Sequence, residues 1–592
     1  MKSRNRFQLT IPLLTCAFLI LSSPDYSAGE TRQSRLTLKA ANQILKTSRC
    51  FDNISLSGLN LAGMDLNRIT GRGADLNGVH LKNANLSDAF LESSNFNNSN
   101  LSGANLNGIK LEQIQMNEAS LTRADLNCAV ILGCEMKAAK LGGANFRGAY
   151  LKNVDLDGAD LNNSNLSYVF LKANLDNASL KNADMHGAYL SDVKLTHVDM
   201  RRVNLSGAKL ERLISSGTPE KHADLSNANL NHAVILSAQM KAADFSGAYL
   251  SGAVINTCDF EGANFSNADL SNALIMKSTM EKADLRYVKM TYSRLCGIDL
   301  SGANMSNADM TNVDLREAVL NKTILNNTVL ERANLNGASL KRAVLKKTIL
   351  LNATLRNADL SNANLSRAIL KNADLEDAVL YDATLNNADL CRANLRTADL
   401  RKTQLNNANL EGAALIGADL RKASLENAEL KNIELATANL AGIHLQKVNL
   451  GSLDLSAVNL KNAVLSKVDL SGAKLKNADL TGASLTGCKL NNADLSGACL
   501  KNCKVNGCGL AGANLKNANL TGADLKDTRL NNADLSNANL KNVNLKNADL
   551  QNTDLHKANL KGADFTGCNI SKIKNLEKAV NVNKAKGLKQ TP

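Results

Sequence analysis

Residues 475–495 read LKNADLTGASLTGCKLNNADL, and the spacing inside this stretch decides the fold. Leu475, Leu480, Leu485, Leu490 and Leu495 recur at every fifth position. Two residues before each stands something small: Ala478, Ala483, Cys488, Ala493. Between the small residue and the next Leu lies Asp, Ser or Lys. After the Leu comes a pair such as Lys476-Asn477 or Thr481-Gly482. A period of five matches neither the 3.6 of a helix nor the 2.0 of a strand. The inward steps are two, then three. Two residues apart is a short extended piece with both side chains on one face. The longer step is a corner, because Gly or Asn two residues after the Leu supplies the positive φ that a type II turn requires. Extended pieces joined by corners make a coil, and stacked coils make a solenoid.

A longer repeat gives the number of sides. Residues 441–480, 481–520 and 521–560 align: their fourth pentads are SAVNL, SGACL and SNANL, and their eighth are KNADL, KNANL and HKANL. A repeat of 40 accommodates coils of 20 residues and not coils of 15, so the coil has four sides. This pattern resembles the pentapeptide-repeat family, in which a small residue, Asp or Asn, and Leu are followed by two polar residues. The resemblance spans roughly nine tenths of the chain. It implies an all-β solenoid, a right-handed four-sided β-helix with the Leu and the small residue turned inward. It implies little about function, because the family serves many roles.

Working outward, residues 1–28 read as an export signal: Lys2, Arg4 and Arg6 precede the apolar run Leu9–Leu21, which is too short to span a membrane. Cleavage near Ala28 is expected, giving an exported, periplasmic or secreted protein with no transmembrane span. Residues 29–54 form the N-terminal cap. Within them, 34–47 suit a short amphipathic helix with Ser34 as N-cap and Leu38, Ala41, Ile44 and Leu45 on one side. Regular pentads fill 55–210. Gly71 holds a central position, so the coil around Arg68–Gly73 is expected to be loose. At 172–175 one residue is missing and the register steps by four. Residues 211–222 (ERLISSGTPEKH) break the pattern, with Ser215 and Glu220 at central positions, and are expected to form a bulged loop. Pentads resume over 223–570. Residues 571–592 suit a terminal cap followed by a basic tail. The sum is roughly 25 coils at about 4.8 Å each.

The sequence carries no catalytic or cofactor motif. Its seven His residues are scattered, and there is no HExxH, Walker loop, GxSxG or paired CxxC. The many Asp residues are repeat positions and read as a solvated row, so no enzyme is expected, and no cofactor or metal. Cys134, Cys258, Cys488, Cys503, Cys508 and Cys568 replace the small inward residue and act as small hydrophobes. Cys488 and Cys508 are one coil apart, within disulfide reach, and export would let some fraction oxidise. The net charge is +14. Lys461, Lys501, Lys541 and Lys561 share one row, and Lys476 and Lys516 another, so some C-terminal faces are basic.

These features favour a non-enzymatic, exported scaffold that is structural or binds a protein or a surface glycan. Some relatives mimic DNA and bind type II topoisomerases, but that role calls for an acidic surface in the cytoplasm. Direct binding of nucleic acid or another anionic surface suits the charge, although few aromatics in the basic half offer base stacking. One candidate site stands out. Val130, Tyr150 and Phe170 each lie one residue before a central residue and are 20 apart. Tyr189 continues the row across the missing residue. Most of the sequence places Asp or Asn there, so this is an apolar and aromatic strip, ending at Lys110 and Lys209. It stiffens the solenoid or binds a partner.

Overall fold

The structure is a computed structural model, and it describes residues 37–215, 218 and 220–588. The expected signal, residues 1–28, lies outside these. The chain divides into two units, one ending at Asp244 and the other beginning at Phe245. Each is a parallel, four-sided β-solenoid.

The pentad around Leu475 shows how the repeat folds. Leu475 N–H donates to Asp494 O at 2.7 Å, Asn477 N–H to Ser496 O at 2.9 Å, and Asp494 N–H returns to Ala473 O at 2.9 Å. Ala478 N–H closes the corner on Leu475 O at 3.0 Å. Residue Asn477 has φ +59°, and Gly472 at the previous corner has φ +68°, so each corner takes the left-handed conformation that Asn and Gly tolerate best. Three of the four bonds run between coils, so nearly every backbone group finds a partner one coil away. Leu475, Leu480, Ala473 and Ala478 are fully buried.

Where Asp or Asn precedes the Leu, it locks the corner. Asp479 Oδ1 accepts the Thr481 N–H at 3.0 Å, and Asn514 Nδ2 donates to Asp494 Oδ1 on the coil before at 2.9 Å. The Asp/Asn row is therefore a half-buried hydrogen-bonded ladder, not the merely solvated row expected. The buried small position has its own device. Thr328 Oγ1 donates to Met305 O at 2.7 Å and Cys508 Sγ to Leu485 O at 2.7 Å. A hydroxyl or thiol there uses the spare lone pair of a carbonyl on the preceding coil.

In the first unit the helix α1 (Leu38–Thr47) precedes the coils, burying Ala41 and Leu45. Two expectations fail here. Thr37, not Ser34, caps it, with Oγ1 accepting Ala40 N–H at 3.4 Å. Leu38 is 45% exposed, because it sits in the first turn beyond the reach of the first coil. The coil at Arg68–Gly73 is not loose. Thr70–Arg72 forms strand β1, paired with β2 (Phe90–Glu92). A Cβ at Gly71 would stand 3.0 Å from Leu91 Cδ2 and 3.3 Å from Phe51 Cβ, so neighbours fill the place of the missing side chain.

The same face carries β3 (Lys110–Glu112), β4 (Val130–Leu132), β5 (Tyr150–Asp155), β6 (Phe170–Asn174), β7 (Tyr189–Ser191), β8 (Lys209–Glu211) and β9 (Val234–Leu236) in parallel order. The missing residue is absorbed between β5 and β6. Lys152 pairs with Lys172, but Val154 pairs with Ala173, leaving Asn153 as a bulge. The interruption expected at 211–222 begins later. Glu211 pairs in β8, Ile214 bridges Lys194 and Gln239, and Ser215 is 7% exposed. Glu220 is exposed rather than central. Ile214 and Gln239 are 25 residues apart rather than 20, as are Asp199 and Asp224, so the chain between Ile214 and Asp224 is five residues longer than a regular step.

The second unit has strands β10 (Val254–Asn256), β11 (Leu274–Met276), β12 (His444–Gln446) and β13 (Val464–Ser466). Bridges link residues 20 apart until the last coil, where Asn559 pairs with Val580 and Asp564 with Lys586. Two 3-10 turns, Leu576–Lys578 and Val582–Lys584, widen that coil and bury no side chain.

One place in this unit departs from the ladder. Among the described residues, Leu430 and Leu435 N–H make no backbone bond to the next coil, and Glu429–Asn449 and Glu434–Asp454 form no bridge, whereas Ser424 still bridges His444. Glu429 and Glu434 are too long for the corner lock that Asp or Asn makes. That alone does not part coils, because Ile349 and Ile369 lack the lock in an intact ladder. The difference is bulk: Ile433 and Leu453 occupy the small position on successive coils. Elsewhere in this unit Ile298 has Ser278 and Ala318 on either side, and Ile443 has Ala423 and Ala463. Two large residues in register overfill a column built for Ala.

Candidate functional site

The aromatic strip lies along β4 to β7. The register pairs Val130 with Tyr150, Tyr150 with Phe170, and Phe170 with Tyr189, so all four side chains stand in one row on the outer face. The rings of Tyr150 and Phe170 are stacked, centroids 4.6 Å apart and 13° from parallel. Tyr189 meets Phe170 edge-on at 5.4 Å and 84°. Tyr150 is 38% exposed, whereas Val130, Phe170 and Tyr189 are half-buried. Because Tyr150 and Phe170 stack along the row, each covers a face of the other.

The row does not end at Lys110. Lys110 Nζ lies 4.7 Å from the ring centroid of Phe90, and Phe90 is its register partner in β2. Phe90 was legible by stepping back 20 residues from Lys110. At the other end Lys209 Nζ sits 4.4 Å from the Tyr189 centroid. The tertiary structure adds a charged cluster there. Tyr189 Oη donates to Glu211 Oε2 at 2.6 Å, and Lys209 Nζ lies 3.0 Å from the same oxygen. Arg212 bonds both Glu211 and, at 2.6 Å, Asp192 Oδ1. Lys172 Nζ reaches Asp192 Oδ2 at 3.1 Å. The Tyr189 hydroxyl, then Lys209 and Arg212, hold the Glu211 carboxyl down to about 2. Arg212 and Lys172 hold Asp192 well below the usual carboxylate range. The cluster ties three coils together where the register slips.

A second aromatic group flanks the strip. Tyr168 meets His186 edge-on at 4.7 Å, and its ring lies over Gly187, where a Cβ would come within 2.6 Å of Tyr168 Cε1. A larger residue at Gly187 would push that ring aside.

The parted ladder of the second unit opens a cavity of about 630 Å³ lined by Glu411, Leu430, Lys431, Asn432, Gly451 and Leu453. A smaller one of about 390 Å³ includes Leu425, Glu426, His444 and Val464. The second also holds Ser424, Ser466 and the exposed His444, with Ser424 Oγ donating to Asn406 Oδ1 at 2.5 Å. Among the described residues no three of His, Cys, Asp and Glu converge as a metal site, and no helix is long and apolar enough to cross a membrane. Cys488 and Cys508 are free thiols. Each donates to a carbonyl of the preceding coil, Leu465 O and Leu485 O, and burial pushes their thiols up to about 11 and about 12.

Family models described as pentapeptide repeats match fourteen segments between residues 50 and 507, and one described as a pentapeptide repeat region matches 498–574. No curated protein matches the chain. Among solved structures, HetL, a pentapeptide repeat protein involved in heterocyst differentiation regulation in the cyanobacterium Nostoc, is 31% identical over 42% of this chain and 89% of its own, with a TM-score of 0.20. A pentapeptide repeat protein of the Arabidopsis thaliana thylakoid lumen is 31% identical over 16% and 64%, with a TM-score of 0.13. QnrB1, a plasmid-mediated fluoroquinolone resistance protein, is 23% identical over 34% and 88%, with a TM-score of 0.17.

Proposed function

The chain belongs to the pentapeptide-repeat family, and from that premise we propose that it is an exported, non-enzymatic scaffold that binds a protein partner along its flat walls. The observation that carries this reading is the aromatic strip. Over four consecutive coils the outward position of this wall holds Val130, Tyr150, Phe170 and Tyr189, where the other walls of the same coils hold polar residues, mostly Asp or Asn. The strip is apolar, rimmed by Lys110 and Lys209, and Tyr150 is 38% exposed. Such strips of aromatic and basic residues suit protein recognition. Export is supported by the basic and apolar character of residues 1–28. A net charge of +14 argues against imitation of DNA toward a type II topoisomerase.

The test joins fractionation to pull-down. The mature protein should be recovered outside the cytoplasm, with an N-terminus near residue 29. The triple variant Tyr150→Asn, Phe170→Asn, Tyr189→Asn should lose the partner captured by the native protein. A cytoplasmic, uncleaved chain would remove the export half of the reading. Unchanged capture by the triple variant would remove the strip as the binding face.

A further inference from the structure

A different surface, in the second unit, carries an inference independent of the scaffold reading. Between residues 316 and 371 the outward position before the central Leu changes character. Asp and Asn give way to Ile324 and Val344 on one wall, and to Val329, Ile349 and Ile369 on the next. Bridges place each set in register: Ile324 with Val344, Val329 with Ile349, and Ile349 with Ile369. Ile324 is 37% and Ile369 39% exposed. These residues do not lengthen strands, since each makes only an isolated bridge to the coil on either side, like the Asp or Asn it replaces. Nor do they complete the core, which is closed beneath them by the fully buried Thr328 and Thr348 and their bonds to Met305 O and Leu325 O.

The corner between the two walls is cationic. It carries Lys346, Lys347 and Arg367, with Lys347 N–H bonded to Ser366 O so that Lys347 and Arg367 stand on successive coils. Lys322 and Arg342 edge one wall and Lys371 the other. All six are exposed. In the same region Lys341 is paired with Asp359 and Arg356 with Asp374, but none of the six has an ion pair among the described residues. Residues 316–371 hold ten Lys or Arg against three Asp or Glu. Coils repeat every ~4.8 Å, well inside a Debye length of about 8 Å, so these like charges repel one another along the ridge.

We propose that this ridge and its two aliphatic walls form a docking surface for an anionic lipid bilayer. Unpaired cations flanked by branched aliphatic side chains match a headgroup layer over acyl chains: the ammonium and guanidinium groups meet the headgroups while the aliphatic groups enter the interface. A protein interface would be poor in Lys and rich in Tyr, Trp or Met at its centre, and this patch has four of its six free cations as Lys and no aromatic. Nucleic acid would gain nothing from five aliphatic side chains and finds no ring to stack on.

The experiment is co-sedimentation of the full chain with vesicles of phosphatidylcholine alone or with about a third phosphatidylserine. The native chain should bind only the anionic vesicles and release in high salt. Lys346→Glu, Lys347→Glu, Arg367→Glu together should weaken binding at least about 100-fold, taking a factor of about five per charge near the surface. Ile324→Asn, Ile349→Asn, Ile369→Asn should weaken it about tenfold with an unchanged melting curve, because Asn is native to this position elsewhere. All variants keep the same N-terminal segment, so its own lipid affinity cancels. Native binding that both variants retain, or an equal loss on Lys501→Glu, Lys541→Glu in another basic row, would overturn the proposal. So would variants that lose duplex DNA but keep the vesicles.

Discussion

Phe170 lies on Tyr150 as a parallel ring, 4.6 Å between centroids, although the two residues are separated by a full coil. The solenoid repeat brings them together: strands one coil apart are spaced about 4.8 Å, which is also a stacking distance. A row of aromatics one coil apart therefore stacks with little adjustment. An aromatic pair contributes about 0.5–1.5 kcal/mol beyond its burial. Phe170→Asn breaks both ring contacts and should destabilise the first unit by about 1–3 kcal/mol, read as a shift in its denaturant midpoint. Tyr150→Asn removes one contact and should cost about half as much. Equal costs would show that the edge-on contact with Tyr189 contributes nothing.

Leu475 and Lys476 are adjacent, yet one is fully buried and the other exposed. Leu475→Asp places a carboxylate among stacked Leu side chains and should cost several kcal/mol, opening the local coils to protease. Lys476→Ser should stay within about 0.5 kcal/mol. Limited proteolysis of the two variants side by side checks this, and similar digestion rates would contradict the inward assignment of the Leu.

Where Ile433 and Leu453 overfill their column, the N–H groups of Leu430 and Leu435 lack the inter-coil bond that Leu475 makes. Hydrogen exchange at 430 and 435 should be much faster than at 475. Leu453→Ala should let the coils close, slow that exchange and leave stability unchanged or raised, the relief of overpacking being about 1–3 kcal/mol. A core Leu→Ala change normally destabilises, so a marked loss of stability here would refute the overpacking account.

The Glu211 carboxyl is held down to about 2 from its ordinary 4.5 by Tyr189, Lys209 and Arg212. A carboxylate depressed in the folded state adds stability that is present above the unfolded value and disappears as pH falls through the folded one. Acidification from about pH 4.5 to 2 should therefore weaken the first unit, with a change in near-ultraviolet signal from Tyr189. Glu211→Gln should flatten that dependence, and an unaltered acid profile in this variant would exclude the cluster as a contributor.

The period-five spacing determined the architecture alone. Two inward residues per pentad and a corner that demands Gly or Asn leave one way to bury the Leu side chains and satisfy the backbone, and the 40-residue repeat selects four sides. The row of Val130, Tyr150, Phe170 and Tyr189 could be listed in advance for the same reason, since a fixed register turns sequence distance into spatial neighbourhood. What the sequence left open depended on side-chain volume and direction. That Gly71 is packed by Phe51 and Leu91, that Ile433 over Leu453 parts a ladder which Ile443 does not, and that Tyr150 and Phe170 spend their faces on each other follow from how much space each column holds. The Lys209–Glu211–Arg212 cluster and the free cations of the Lys347 ridge arise from pairings between coils, where a long side chain can choose among several partners. Periodicity fixes the backbone because every hydrogen bond repeats, whereas three-dimensional packing decides the surface because each charged side chain settles with its own neighbours.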